Sequence, residues 1–226
     1  MPRAKSDRKR GERKLEILRA LAGMLEAPRW EKITTAALAK RLEVSEAALY
    51  RHFASKAQMY EGLIEFIESS IFSLANRIAE EQANARGQAP KLIETLLAFG
   101  EANPGMVRVL TGEALVGEHE RLQQRINRFF DRFEATLKQS LKLAASLDAG
   151  DPLGVTGNPE DVAGDPGGVA VTPGGAAGTQ ASATGDPAAH AEALVRYAIG
   201  SLHAYSRGGF AGKPSAALAA HWPYVG

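Results

Sequence analysis

Residues 34–53 read TTAALAKRLEVSEAALYRHF, two short helix signals separated by a tight turn. Thr34 is a good N-cap, and Ile33 before it can staple onto Leu38. Leu38 and Leu42 lie one helical turn apart and face inward, and Ala39 is small enough for a second helix to approach. Glu43 and Val44 make the turn. Ser45 is a second N-cap, Val44 can staple onto Leu49, and Leu49 and Phe53 continue the buried stripe. Tyr50, Arg51 and His52 fall on the other side. Ser55 then opens a third helix, with Gln58 at the capping-box position. Two short capped helices with a small, basic, aromatic second member form the unit that lays a helix into the major groove of DNA.

The charge distribution supports that direction. The net charge is only +1. Up to Lys56, however, fourteen Lys and Arg stand against seven Asp and Glu, a net of +7, and the remainder carries thirteen against nineteen, a net of −6. The excess starts with Arg3, Lys5, Arg8, Lys9, Arg10, Arg13 and Lys14, a basic arm beside the helix-turn-helix and a footprint for phosphate. Ser45, Glu46, Ala47 and Ala48, the start of the recognition helix 45–53, should enter the groove, as geometry together with the family pattern named below implies; their small side chains permit close approach, and alanine methyls can touch thymine methyls. Thr34, at an exposed helix N-terminus, can donate to a phosphate.

The rest of the chain reads helical. Met59, Leu63, Ile67, Ile71, Leu74 and Ile78 form one apolar stripe, with Glu61, Glu65 and Glu68 opposite and Phe72 unexpectedly on that acidic face. Residues 87–90 are a break. A helix carrying Leu92, Ile93, Leu96, Leu97 and Phe99 ends at Asn103-Pro104-Gly105. Residues 106–115 form a short apolar helix. Residues 120–147 form a long one, with Leu122, Ile126, Phe129, Phe133, Leu137 and Leu141 on one face. From 148 to 187 the composition collapses to Gly, Ala, Pro and Asp with a period of seven, as in Gly150-Asp-Pro and Gly164-Asp-Pro. Without apolar bulk this reads as a disordered loop grown by duplication. Helix resumes near Ala188, with Leu194, Tyr197, Ala198, Ser201, Leu202 and Tyr205, stops at Gly208-Gly209, and a last short helix spans 215–224.

The order of these signals resembles the TetR family of dimeric, all-helical DNA-binding proteins. The segments VSEAALYRHF (44–53), LIEFIE (63–68), FGEANPG (99–105) and RLQQRIN (121–127) are similar to the nucleoid occlusion branch of that family. The resemblance covers residues 12–145 well and the C-terminal part weakly. It implies an all-α fold, with a three-helix DNA-binding domain at 1–56 and a helical dimerisation and partner-binding domain at 57–226. It implies that Tyr50, His52 and Lys56 hold the phosphate backbone, with Arg51 on the same basic face. It implies a homodimer, or a pair of dimers, on a palindromic duplex, each dimer joined through the 120–147 and 188–206 helices. A second partner follows from the branch: the C-terminal tail of the division GTPase FtsZ, whose assembly it antagonises, with Phe66 and Asn103 at the matching positions.

Other classes fare worse. There is no cysteine, so disulfides and thiolate chemistry are excluded. The N-terminus lacks an apolar signal segment and no apolar run reaches membrane-spanning length, which points to a cytoplasmic, nucleoid-associated protein without a membrane partner. No phosphate loop, GxSxG elbow or HExxH is present, so an enzyme, a cofactor and a metal are not expected. Glu118-His119-Glu120 points its side chains different ways on a helix. The alternatives are a ligand-responsive repressor with an effector held between the 92–99 and 120–147 helices, and an interaction protein without sequence-specific DNA binding.

Overall fold

The structure, a computed structural model, describes residues 3–27, 32–80, 86–149 and 186–225, with side chains for 11–27, 32–80, 86–147 and 186–222. All regular structure among these residues is helical. The order is α1 (Arg3–Leu25), α2 (Thr35–Arg41), α3 (Glu46–Tyr50), α4 (Lys56–Glu80), α5 (Gln88–Ala102), α6 (Pro104–Leu110), α7 (Glu120–Ala149), α8 (Pro187–Arg207) and α9 (Pro214–Val225). The repeat-rich stretch lies outside the described residues, apart from its ends in α7 and at the start of α8.

One apolar core runs through the helices. It takes Ile17, Leu21 and Leu25 from α1, the expected stripe Met59, Leu63, Ile67 and Ile71 from α4, Phe129, Phe133 and Leu137 from α7, and Leu194, Ala198 and Leu202 from α8. Helix α7 packs on α8 and on α4, and α1 packs on α6. The α1–α6 approach depends on glycine: a Cβ on Gly105 would sit 2.2 Å from the Ala22 carbonyl oxygen. Nearby, the buried Arg108 side chain donates from Nε to the Leu25 carbonyl at 2.9 Å and from Nη2 to that of Ala27 at 3.1 Å. It thereby satisfies carbonyls at the C-terminal end of α1. Burial holds its pKa below the ordinary guanidinium value, an effect opposed by Glu113.

Several boundaries differ from the sequence expectation. The break at 87–90 is shorter, because α5 already starts at Gln88 and takes Pro90 into its first turn, where a missing N–H is harmless. Asn103 ends α5, yet Pro104 opens α6 at once as a helix-starting proline. The expected 106–115 helix stops at Leu110. Gly112 then adopts φ +78°, and Glu113–Leu115 form a separate 3₁₀ turn. The basic arm is helical backbone, the first turns of α1. The side chains of Arg3, Lys5, Arg8, Lys9 and Arg10 lie outside the described residues.

The acidic face of α4 is also occupied. Glu61 pairs with Arg121 at 2.7 Å and Glu68 with Arg125 at 2.6 Å, both from α7. Phe72 is buried against Phe129, with ring centroids 5.4 Å apart, and under the Arg132 guanidinium at 3.8 Å. A neighbouring helix, not solvent, explains that aromatic.

Candidate nucleic-acid interface

The helix-turn-helix is built by its caps. The Thr34 hydroxyl accepts from the Ala37 N–H at 3.1 Å and that of Ser45 from the Ala48 N–H at 3.3 Å. Leu38, Ala39 and Leu49 are buried, and so is Ile33. Between the helices, Glu43 takes φ +55° and the Val44 N–H donates to the Ala39 carbonyl at 3.0 Å. Gln58 completes the third cap. The Ser55 hydroxyl accepts from the Gln58 N–H, and the Gln58 side-chain Oε1 accepts from the Ala54 N–H at 2.8 Å, one residue earlier than the motif suggests.

The recognition helix is shorter than the 45–53 expected. Regular α3 ends at Tyr50, Arg51 and His52 form a turn, and the N–H groups of His52 and Phe53 both donate to the Leu49 carbonyl. Ser45, Glu46, Ala47, Tyr50 and Arg51 are exposed, while Ala48 and His52 are half-buried. The small residues at the N-terminal end thus stand open, with Tyr50 and Arg51 beside them. Thr34, at the start of α2, is exposed as well.

Thr35, passed over in the sequence reading, ties the two helices together. Its Oγ1 donates to Glu46 at 2.5 Å and lies 3.5 Å from the Tyr50 hydroxyl, which donates to it. A Thr-Thr pair at a helix start was the available signal. The first threonine caps, and the second points across to the next helix.

Lys56 is drawn in a different direction from the phosphate role. Its Nζ makes a 2.6 Å ion pair with Glu118, from the segment between the 3₁₀ turn and α7, and lies 5.7 Å from the centre of the Tyr60 ring. Glu118 is also 4.0 Å from Lys32, whose Nζ donates to the Gly117 carbonyl at 3.1 Å. The Lys56 side chain remains 20% exposed. Tyr60 is fully buried beneath it; burial, then the Glu118 charge, pushes its hydroxyl pKa far above the ordinary value. At the other end of the unit, Lys14 lies 5.5 Å from the Phe53 ring centre, and Arg13 pairs with Glu16 on its own helix. No cluster of three His, Cys, Asp or Glu side chains among the described residues could hold a metal ion.

The two residues taken from the resemblance as partner contacts come together. Phe66, on the outer edge of the α4 stripe, is 45% exposed instead of buried. It and Asn103 line one open groove of about 340 Å³ with Leu15, Leu18 and Met106. Asn103 Nδ2 donates to the Phe99 carbonyl at 2.9 Å, so it is also a helix-end residue, and the Phe66 and Phe99 rings are 6.1 Å apart. Sequence periodicity alone did not reveal the contribution of α1 to this groove.

Residues 17–63 match the family described as "Bacterial regulatory proteins, tetR family", and residues 87–155 match the SlmA-like family described as "Tetracyclin repressor-like, C-terminal domain". The nucleoid occlusion factor SlmA of Alteromonas mediterranea is 38% identical over 214 residues, covering 95% of this chain and 94% of its own. That of Marinomonas sp. is 54% identical over 136 residues, 60% of this chain and 69% of its own. Among solved structures, the TetR-family transcriptional regulator PfmR of Thermus thermophilus shares the fold with a TM-score of 0.64 at 17% identity, over 92% of this chain and 96% of its own. The transcriptional regulator FadR of Bacillus subtilis, solved with stearoyl-CoA, does so with a TM-score of 0.60 at 12% identity, over 93% and 96%.

Proposed function

Because the chain belongs to the TetR family, among the relatives of the nucleoid occlusion factor SlmA, we propose that it is a non-enzymatic, sequence-specific DNA-binding protein that restrains FtsZ assembly over the chromosome. In this reading it is a homodimer on a palindromic duplex, and residues 1–56 are the DNA-binding domain. Residues 57–226 are the dimerisation and partner-binding domain, and the protein works in the cytoplasm on the nucleoid. No helix among the described residues is long and apolar enough to cross a membrane.

The observation that carries the reading is the placement of both surfaces on one rigid element. Helix α4 opens with Lys56, six residues after the end of α3, and carries Phe66 ten residues further on, about 15 Å along the same axis. A duplex held at its first turn therefore lies close to a peptide-sized groove lined by Phe66 and Asn103. Thr34, Ser45, Glu46, Ala47, Ala48, Tyr50, Arg51, His52 and Lys56 would face DNA, and Phe66 and Asn103 the FtsZ tail. The small residues at the start of α3 suit close approach to base edges, while the cationic and hydroxyl groups suit phosphate.

The test is FtsZ polymerisation followed by light scattering, with protein, a palindromic duplex, or both. Slowing should be greatest with both, and Phe66→Ala should lose it while retaining DNA affinity. FtsZ indifferent to protein and DNA together would instead favour the ligand-responsive repressor. Against that second reading, Leu92, Leu96, Phe129 and Phe133 of α5 and α7 are buried and apolar, a lining with few polar groups for specific ligand recognition.

A further inference from the structure

Helices α2 and α3 pack chiefly on each other and on α1, and α1 in turn packs on α6 and α4. The seat of α1 on the body therefore governs where α3 stands. At the end of that seat lies Arg108 of α6, only 5% exposed. It grips the chain where α1 ends and the path to α2 begins, through the Leu25 and Ala27 carbonyls. The same guanidinium also faces the body. Its Nη1 lies 3.4 Å from Glu113, and the Phe210 ring centre lies 4.9 Å from its central carbon. Glu113 in turn accepts from the Ser206 hydroxyl at 2.7 Å, and its other oxygen is 3.2 Å from His203 Nδ1. Ser206 and His203 belong to α8. One path of side chains thus joins the end of α1 to α8, a helix expected to pair two subunits.

Two features make this path more than a source of stability. A buried ion pair is weak grounds for stability, since well-packed apolar residues of like volume often do as well. What a satisfied polar network adds is one defined arrangement, because its hydrogen bonds have fixed directions. The second feature is Phe210, which follows α8 with φ +65°, a costly conformation for a bulky residue. Its ring lies against both Arg108 and Tyr205, the latter with centroids 5.4 Å apart.

From this path we infer that Arg108 and Glu113 are positioning residues that fix the separation of the two recognition helices in the dimer, and so select the spacing of the DNA half-sites. The inference rests on the dimeric DNA-binding reading above, yet neither residue is among those proposed to face DNA. Each added base pair moves a half-site about 3.4 Å and turns it about 34°. A head held at one angle meets one spacing without strain, whereas a released head tolerates several.

The experiment uses the full chain, which first selects its palindrome from a pool of randomised duplexes. Fluorescence anisotropy then compares that duplex with versions whose half-sites are one or two base pairs nearer or farther, and with a duplex carrying a single half-site. The native chain should prefer its own spacing about tenfold or more. Glu113→Gln keeps the shape and removes the charge, and Arg108→Met removes all three donors. Each variant, still dimeric by sedimentation, should narrow the preference to about threefold or less and leave single half-site affinity within about twofold. Arg108→Lys, which lacks the planar fork, should restore only part of it. Where Arg108→Met fails to fold, Glu113→Gln and Ser206→Ala decide. An unchanged spacing preference in folded Glu113→Gln overturns the inference even if Tm falls, since a merely structural pair would behave that way. Equal loss of affinity on every duplex, the single half-site included, also overturns it. A native chain that selects no palindrome overturns the DNA reading itself, and the inference with it.

Discussion

In the free protein the Lys56 ammonium is held by Glu118, so the phosphate contact proposed for Lys56 requires DNA to compete with that carboxylate. The pair is 2.6 Å long, with side chains 20% and 10% exposed, so it is neither a freely solvated pair nor a fully dry one. A hydrogen bond between charged groups in such a position contributes about 1.5–3 kcal/mol net. Glu118→Gln preserves shape and one acceptor while removing the charge. It should cost up to about 3 kcal/mol of stability. By releasing Lys56 it should also tighten DNA binding about tenfold or more, since about 1.4 kcal/mol is a factor of ten. Lys56→Ala should act in the opposite direction on DNA and reveal the contact type. Loss of one phosphate contact makes the slope of log affinity against log salt shallower by about 0.9 per subunit. The assay is fluorescence anisotropy of a labelled palindromic duplex at 50–200 mM KCl (about the range over which such contacts are lost). A salt slope unchanged in folded Lys56→Ala refutes the phosphate role. An affinity unchanged or weakened in folded Glu118→Gln refutes the competition.

Other consequences are as direct. Gly105→Ala would force a Cβ to 2.2 Å from the Ala22 carbonyl and should lower stability by about 1–3 kcal/mol or more in urea unfolding. Gly11→Ala, with nothing within 4 Å on the same α1, should raise it by about 0.5–1 kcal/mol. Equal effects of the two would refute the close-approach argument. Leu49→Ala removes a side chain that is 1% exposed and should cost about 2–5 kcal/mol, read as a lowered Tm with loss of duplex binding. Tyr60 has a folded pKa raised by burial and by Glu118, so its contribution to stability is complete below about pH 10, the unfolded value, and is lost as pH rises above it. Tyr60→Phe should therefore flatten the alkaline fall in unfolding free energy, and superimposable curves above about pH 10 would show that this tyrosine does not drive it.

The helix-turn-helix was readable because everything that makes it is local. Thr34 to Ala37, Ser45 to Ala48 and Ser55 to Gln58 are contacts over three residues, and the staples span five. The stripes of α4 and α7 were readable for the same reason: a helix returns each side chain to the same face within four residues. The charge split likewise marked residues 1–56 as the basic part of the chain.

What the linear order could not reveal depends on partners far apart in the chain. Lys56 meets Glu118 across 62 positions, and Arg108 closes α1 across 83. Phe72, on an acidic face by periodicity, is buried because α7 covers that face with Phe129 and Arg132. Phe66 is exposed although it borders the apolar stripe, because α1 and the Asn103 turn leave a groove above it. The sequence by itself therefore determined most of the helices and their caps, since hydrogen bonds and periodicity within one turn decide these. Only the tertiary structure decided which charges are already paired, which aromatics remain open, and that Phe66 and Asn103 share one groove, because these follow from how rigid helices pack against one another.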